Sequence, residues 1–339
     1  MSYIINIGTA VPEHSISQTE FAKTYASLSE NADIQRKIKF LNARSAIEKR
    51  HTVQPDITQL LNLSLEQKLA LYHTEATKLA TQAVLANPAF EDRRAQITDL
   101  IVVSCTGMQA PGVEFELIEN LSLSKKIRRY NVNFMGCYAA LTALRMAKDI
   151  CTTPNRTVLV VSIELCTHHF QHNFTDDYLL SNSLFADGSA SAIVSSDKVG
   201  AKLKLNDFGS RLLPNSKEEM SWKISNSGFL MTLSSEVPSS ISASLQNEPL
   251  FGKLPQNVSW AIHPGGKQIL DGIKNTLQLD ETELTISRQI LATYGNMSSA
   301  TILFVLQKML EHRSTQKEQF IACAFGPGLT LESALLSYV

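Results

Sequence analysis

Two stretches of the chain, half its length apart, follow one plan. A β-branched run centred on Val102 lies 35 residues ahead of Cys137 (137 − 102), and a run centred on Ala261 lies 35 residues ahead of Asn296 (296 − 261). Each marked residue follows a glycine, Gly136 or Gly295, and opens a stretch of small and apolar residues, CYAALTAL or NMSSATILFVL. A further strand-like run follows in both, near Leu159 and near Ile321. Self-similarity at a fixed period marks an internal duplication, but any alternation of strands and helices produces similar intervals, so spacing alone leaves both explanations open. If the duplication holds, Cys137 and Asn296 are equivalent positions converging on one interface, where two-lobed proteins build pockets.

The local patterns agree with alternation. DLIVVSC (Asp99 to Cys105), TVLVVSIEL (Thr157 to Leu165) and ASAIVSS (Ala190 to Ser196) read as buried strands, and TEATKLATQAVLA and TALRMAKDI carry helical spacing. This is α/β organisation. The polar and glycine residues from Asp197 to Lys204 end the first half, which divides the chain into 1–200 and 201–339; the absence of a Pro/Ser-rich linker predicts halves that pack tightly. With 31 basic against 32 acidic side chains, no global charge draws the chain to nucleic acid. No apolar run approaches the roughly 18 residues of a membrane span, and the N-terminus lacks a signal-peptide pattern. Five cysteines, odd in number and without CxxC pairing, fit reduced thiols and a cytoplasmic setting.

Several residues are candidates for chemistry, each with a structural alternative. Cys137, at a strand-to-helix turn, meets the positive end of a helix dipole, which favours thiolate and nucleophilicity; free cysteines are also common packing residues. His263, in WAIHPGGKQILD, ends a strand before a Pro-Gly-Gly turn and can serve a thiol as base, or can be a hydrogen-bonded turn residue. Asn296, in YGNMSSA, can donate an amide N–H to an oxyanion, or cap a helix. Gly326, Pro327 and Gly328, in AFGPGLTLE, form a sharp turn whose backbone can approach a ligand, as a plain turn also can. His168, His169 and His172 invite a metal, but no partner set at ligand spacing stands nearby, so no metal is expected; Glu164 and Cys166 read as pocket wall. There is no Walker loop and no GxGxxG after a strand, which argues against nucleotide-driven chemistry.

Taken together and in this order, GCYAAL, IHPGGKQILD, YGNMSSATILF and FGPGLTLE resemble the type III polyketide synthases, the chalcone and stilbene synthase family, over nearly the whole chain. The resemblance implies a thiolase-like fold of two duplicated αβαβα halves in five layers, working as a homodimer. It implies acyl-CoA and malonyl-CoA as substrates, no cofactor beyond these CoA thioesters, and a cyclised pyrone, resorcinol or phloroglucinol-type product. Cys137 matches the nucleophile that carries the acyl chain, His263 the histidine that keeps the thiolate ready, and Asn296 the asparagine that joins it in decarboxylation.

Other positions follow the family unevenly. Phe185, in SLFADG, matches the phenylalanine between the CoA tunnel and the cavity, while Met231 replaces the second phenylalanine of that gate. Lys37 and Arg44 match two of three basic residues that grip CoA phosphates; the middle one falls on Phe40, with Lys39 beside it. Ser298 matches a serine next to the asparagine. Cys105 and Cys166 stand where plant enzymes carry threonines, His169 replaces another threonine, Trp222 stands in place of a glycine, and Ala110 replaces a methionine that reaches into the partner's site. Trp222 and His169 are expected to fill volume that plant enzymes leave for an aromatic starter, which makes the resemblance bacterial-like rather than to a chalcone synthase. Two other readings share a Cys/His/Asn set: a ketoacyl-carrier-protein synthase III making one condensation, and a thioesterase or other cysteine hydrolase.

Overall fold

The computed structural model describes residues 1–247, 250–251, 258–312 and 317–339. The first half runs β1 (Tyr3–Ala10), β2 (Ser15–Ser17), α1 (Gln18–Ser27), α2 (Ala32–Arg44), β3 (Lys49–His51), α3 (Leu65–Leu85), α4 (Phe90–Arg93) and β4 (Asp99–Ser104). It continues through α5 (Val113–Asn120), β5 (Arg128–Asn133), α6 (Ala139–Ile150), β6 (Thr157–Leu165), α7 (Asp176–Leu184) and β7 (Asp187–Ser195). The second half runs β8 (Leu203–Leu212), β9 (Met220–Ser225), β10 (Gly228–Leu233), α8 (Val237–Asn247), β11 (Ser259–Ile262) and α9 (Lys267–Leu277). It ends with α10 (Thr285–Tyr294), α11 (Thr301–Glu311), β12 (Gln319–Gly326) and β13 (Thr330–Tyr338).

Nine strands form one sheet in the order β11-β12-β13-β8-β1-β7-β6-β4-β5. The pairing senses mirror one another about its middle. β4 and β6 are parallel, β6 and β7 antiparallel, and β7 and β1 antiparallel; β11 and β12, β12 and β13, and β13 and β8 repeat those senses. Strand pairing thus supports duplication where spacing left it open. The two halves join where β1 meets β8 through Tyr3 opposite Lys204 and Ile4 opposite Leu203.

Burial explains the uniform apolar runs. β4 and β6 are buried along their whole length because helices cover both faces, so no polar alternation is needed. On the inner face lie α6 and α11, whose Ala139, Ala140, Ala143 and Ala147, and Ile302, Leu303, Val305 and Leu306, share one apolar cluster with both halves of the sheet. A helix apolar on most sides belongs inside, and removing one such side chain, as in Leu303→Ala, costs about 2–5 kcal/mol. The small residues of α6 leave room for close approach of its neighbours. On the outer faces α3 and α5 pack on the first half, and α8 and α9 on the second. Each half of the sheet is a layer of its own with α6 and α11 between them, so the order is helix, half-sheet, helix, half-sheet, helix, the five-layered arrangement implied by the resemblance. Ser64 and Gln67 close a reciprocal cap at the start of α3. Among the described residues no helix is long and apolar enough to cross a membrane.

Candidate active site

Cys137 is carried on the turn between β5 and α6. Its approach is left-handed at Phe134 (φ 59°) and Gly136 (φ 88°), the Gly136 N–H donates to Cys105 Sγ (2.9 Å), and the Ala139 N–H returns to the Gly136 carbonyl (3.0 Å). The glycine-rich turn from the other half packs directly on it. A Cβ on Gly326 would lie 3.1 Å from the Cys137 nitrogen and 2.8 Å from the Tyr138 ring, so the FGPG turn owes its glycine to close approach as well as to turning.

His263 follows β11, and its N–H donates to the Cys323 carbonyl (2.8 Å). The side chain is buried, and neither ring nitrogen has a hydrogen-bond partner among the described residues. Asn296 follows α10 after Gly295 (φ 73°). Its Nδ2 donates to the Gly265 carbonyl (3.1 Å), tying it to the histidine's turn, and its Oδ1 accepts from the Ser298 N–H (2.9 Å). That second bond holds Ser298 in a left-handed conformation (φ 47°) unusual for a residue with a side chain. The Asn296 backbone bridges Phe185: the Ala186 N–H donates to the Asn296 carbonyl (2.9 Å) and the Asn296 N–H to the Leu184 carbonyl (3.0 Å).

Charge in this cluster behaves differently from the helix-mouth expectation for the thiol. Burial pushes Cys137 up to about 12, although the Ser298 and Asn296 side chains favour its thiolate. Burial also pushes His263 down to about 3. Desolvation outweighs the helix dipole because Cys137 lies in the turn before α6, walled in by Gly326, Tyr138 and Pro327. Burial thus disfavours each charged form taken alone, and a thiolate here needs an imidazolium as its counter-charge.

Two cavities meet at Cys137. An outer tunnel, ≈ 1000 Å³ to its mouth, is lined by His263 and Asn296 at its inner end and by Arg44, Phe40 and Lys267 near the surface. An inner cavity, ≈ 750 Å³ to its opening, is walled by Cys105, Cys166, His169, Trp222 and Met231, with Ser298 and Pro327 beside Cys137. Cys137, Phe185 and Met220 line both.

The inner wall is a locked aromatic cluster. His169 Nε2 donates to the Thr106 carbonyl (2.7 Å), and its Nδ1 accepts from the Phe229 N–H (3.1 Å). Burial pushes this imidazole down to about 4. The His169 ring stacks on Phe229 at 4.1 Å, and the Trp222 edge meets both rings. Trp222 Nε1 donates to the Cys105 carbonyl (2.6 Å). The HHFQH histidines diverge: His168 is buried, and His172 Nε2 donates to the Leu28 carbonyl. No group of three or more His, Cys, Asp or Glu side chains among the described residues is placed to hold a metal.

Some positions depart from the sequence reading. Glu164 is not wall but lies behind it, accepting from the Cys105 N–H (3.0 Å), Thr106 Oγ1 (3.0 Å) and Ser299 Oγ. Burial raises its carboxyl to about 7. Lys37 is absent from the tunnel lining and pairs with Asp176. Arg44 does line it, with its guanidinium 4.8 Å over the Phe40 ring, so Phe40 holds a charge instead of supplying one. Lys267, Met220 and Phe229 were missed. Lys267 had a signal, since it directly follows the HPGG turn; Met220 and Phe229 reach the cavities only through the β9–β10 hairpin.

Comparison with known proteins agrees with the geometry. Residues 1–198 match the N-terminal domain of chalcone and stilbene synthases, and residues 204–339 the C-terminal domain. The whole chain is 31% identical to "Probable polyketide synthase 1" of Dictyostelium discoideum, of which it spans 11% of the length. Among solved structures, the C-terminal type III polyketide synthase domain of Steely1, a type I/III hybrid from Dictyostelium, is 28% identical with a TM-score of 0.92, covering 100% of this chain and 99% of that one. PKS-I from the brown alga Ectocarpus siliculosus is 25% identical with a TM-score of 0.93, covering 100% and 98%. A type III pentaketide synthase from Neurospora crassa, 24% identical with a TM-score of 0.91 over 100% of both chains, adds likeness of fold alone. The fold is thiolase-like, and the chain belongs to the chalcone and stilbene synthase family, the type III polyketide synthases.

Proposed function

We propose that this chain is an acyltransferase that condenses an acyl-CoA starter with malonyl-CoA on Cys137 and releases a cyclised product. The observation that carries the reading is the position of Cys137 between two cavities, with His263 and Asn296 on the outer side. Transfer of the thiol proton to His263 makes a thiolate and imidazolium pair inside the pocket. The thiolate attacks the starter's thioester carbonyl, the acyl–sulfur bond to CoA breaks, and the imidazolium proton goes to the departing CoA thiolate.

Malonyl-CoA then occupies the outer tunnel. Its carboxyl carbon–carbon bond breaks, CO₂ leaves, and the electron pair moves onto the thioester oxygen. His263 and the Asn296 amide are the donors available to that oxygen, and one such donor is worth about 3–4 kcal/mol of barrier. The resulting enolate carbon attacks the acyl group on Cys137, a carbon–carbon bond forms, and the Cys137 thiolate is released. Proximity across the Phe185 gate makes this step effectively intramolecular.

Arg44 and Lys267 stand at the tunnel mouth where CoA phosphates would lie, and no cofactor beyond the CoA thioesters is required. The Cys105, His169 and Trp222 wall limits the inner cavity, consistent with a compact starter and a pyrone, resorcinol or phloroglucinol-type closure. The cysteines are all unpaired, as reduced cytoplasmic conditions would keep them, and the active assembly is a homodimer.

The test is incubation with malonyl-CoA and short-chain, long-chain and aromatic acyl-CoAs, followed by mass spectrometry. The expected result is CO₂ and CoA release with products of several acetate units, lost at least 1000-fold in Cys137→Ala. A strict carrier-protein requirement with one condensation points to the synthase III reading, and acyl-CoA hydrolysis without malonyl-CoA to a thioesterase.

A further inference from the structure

Arg50 is a large side chain that solvent hardly reaches (1% exposed); it lines the inner cavity beside Phe185 but carries none of the chemistry described above. It lies over the Phe21 ring at 3.7 Å, and its hydrogen bonds all go to neutral acceptors. Nε donates to Gln18 Oε1 (3.0 Å), Nη2 to Asn42 Oδ1 (3.3 Å), and Nη1 to the carbonyls of Asn182 (2.6 Å) and Phe185 (2.8 Å). A guanidinium is costly to bury without a carboxylate, so its position needs a reason. Burial lowers it to about 9 while Asp187 acts in the opposite sense, which leaves it a cation at neutral pH.

The reason is where those carbonyls stand. The last carbonyls of a helix lack partners within it, and α7 ends at the gate. Asn182 and Phe185 give theirs to Arg50, Ser183 to Gln18 Nε2 (2.8 Å), and Leu184 to the Asn296 N–H (3.0 Å). Four consecutive carbonyls are thus captured by two buried side chains and by the backbone of the candidate decarboxylation residue. A Cβ on Gly295 would lie 3.2 Å from the Leu184 carbonyl and 3.6 Å from the Arg50 Cβ, so Arg50 backs directly onto the seam that carries Asn296.

We propose that Arg50, with Gln18 bracing it, is a positioning residue for decarboxylation: by holding the end of α7 it sets Phe185 and, through the bridge, Asn296. This rests on the condensing function proposed above. Within that function it separates two half-reactions. Loading of the starter uses Cys137 and His263; Arg50 lines the inner cavity with Cys137, but its hydrogen bonds go to Gln18, Asn42, Asn182 and Phe185 and to neither of these two. Decarboxylation uses Asn296 beside the Phe185 gate, and small misplacements of reacting groups cost up to about 100-fold. A lysine keeps the charge but lacks the planar fork that spans two carbonyls.

The experiment compares Arg50→Lys and Gln18→Leu with wild type in two assays: acyl transfer from acyl-CoA to Cys137, read as intact mass in quenched time courses, and CO₂ release from malonyl-CoA. In folded Arg50→Lys, kcat for CO₂ release should fall about 30-fold or more, with KM for malonyl-CoA and the loading rate changed less than about threefold. Gln18→Leu should show the same split at about fivefold and decides the matter should Arg50→Lys not fold. Parallel loss of loading and decarboxylation, or no loss of either, overturns the role of Arg50. Wild type that loads no acyl group and releases no CO₂ overturns the functional reading itself, and this inference with it.

Discussion

Gly136 faces the ring of Pro327 with no room for a side chain between them: a Cβ there would lie 2.2 Å from Pro327 Cδ, and the backbone is at φ 88°. The turn bearing the candidate nucleophile and the glycine-rich turn from the other half are therefore fitted to each other. Gly136→Ala meets both a left-handed backbone penalty and a steric clash, each about 1–3 kcal/mol. The expected outcome is a lower urea midpoint and, in the protein still folded, a loss of Cys137 acylation of at least tenfold.

Trp222 closes the inner cavity through its indole N–H on the Cys105 carbonyl and its edges on His169 and Phe229. Trp222→Ala opens that wall without removing a group that touches the Cys137 sulfur. Each methylene admitted to an apolar pocket is worth about 1–3 kcal/mol, so kcat/KM for acyl-CoAs longer by a few carbons should rise at least tenfold relative to the shortest starter. Competition between two starters, with products counted by mass spectrometry, measures the ratio. An unchanged ratio would show that another element sets starter length.

Arg44 and Lys267 at the tunnel mouth should differ from Lys37, which is not part of its lining. Arg44→Ala and Lys267→Ala each remove a charge from the lining and should raise KM for malonyl-CoA about fivefold at low salt with kcat unchanged, an effect that shrinks as ionic strength rises. Lys37→Ala, away from the lining and paired with Asp176, should leave KM within about twofold of wild type. Initial-rate measurements at two salt concentrations discriminate the cases.

His168 offers a clean acid probe because it is buried, both ring nitrogens lack partners among the described residues, and it lines neither active-site cavity. Burial pushes it down to about 3, with His169 and Lys68 acting in the same sense, from an ordinary value of about 6.5. Between those values the unfolded chain binds a proton that the folded one refuses, so this stability is whole above pH 6.5 and is lost as pH falls toward 3. His168→Leu removes that loss. Relative to wild type the variant should gain about 1.4 kcal/mol per pH unit below pH 6, read from urea midpoints between pH 4.5 and 7. A constant difference across that range would mean His168 takes up its proton in the folded state.

Much of the architecture was legible because fully buried strands and the helices of the middle layer announce themselves as uninterrupted apolar runs, as β6 and α11 do. Cys137, His263 and Asn296 stood out as candidates for a related reason: Cys137 and Asn296 each follow a glycine and His263 precedes a Pro-Gly-Gly turn, at ends of elements where a chain must turn. Residues whose meaning depends on a distant partner were not legible. Glu164 receives the Cys105 N–H, and Arg50 receives the end of α7; neither partner is near in sequence. The dipole of α6 can be inferred locally, whereas the burial that opposes it at Cys137 depends on a turn contributed by β12 and β13.

The mirrored sheet also has a consequence for the history and handling of this protein. Cys137 comes from one repeat, His263 and Asn296 from the other, and the repeats share the short β1–β8 seam. Under the proposed chemistry a single repeat is mute, able neither to activate a thiol nor to shed CO₂, so an ancestral single copy could act only by pairing with another. The same division makes the modern chain a natural two-fragment reporter: cut between Ser196 and Lys202, each piece carries half a reaction, and turnover itself signals that the pieces have met.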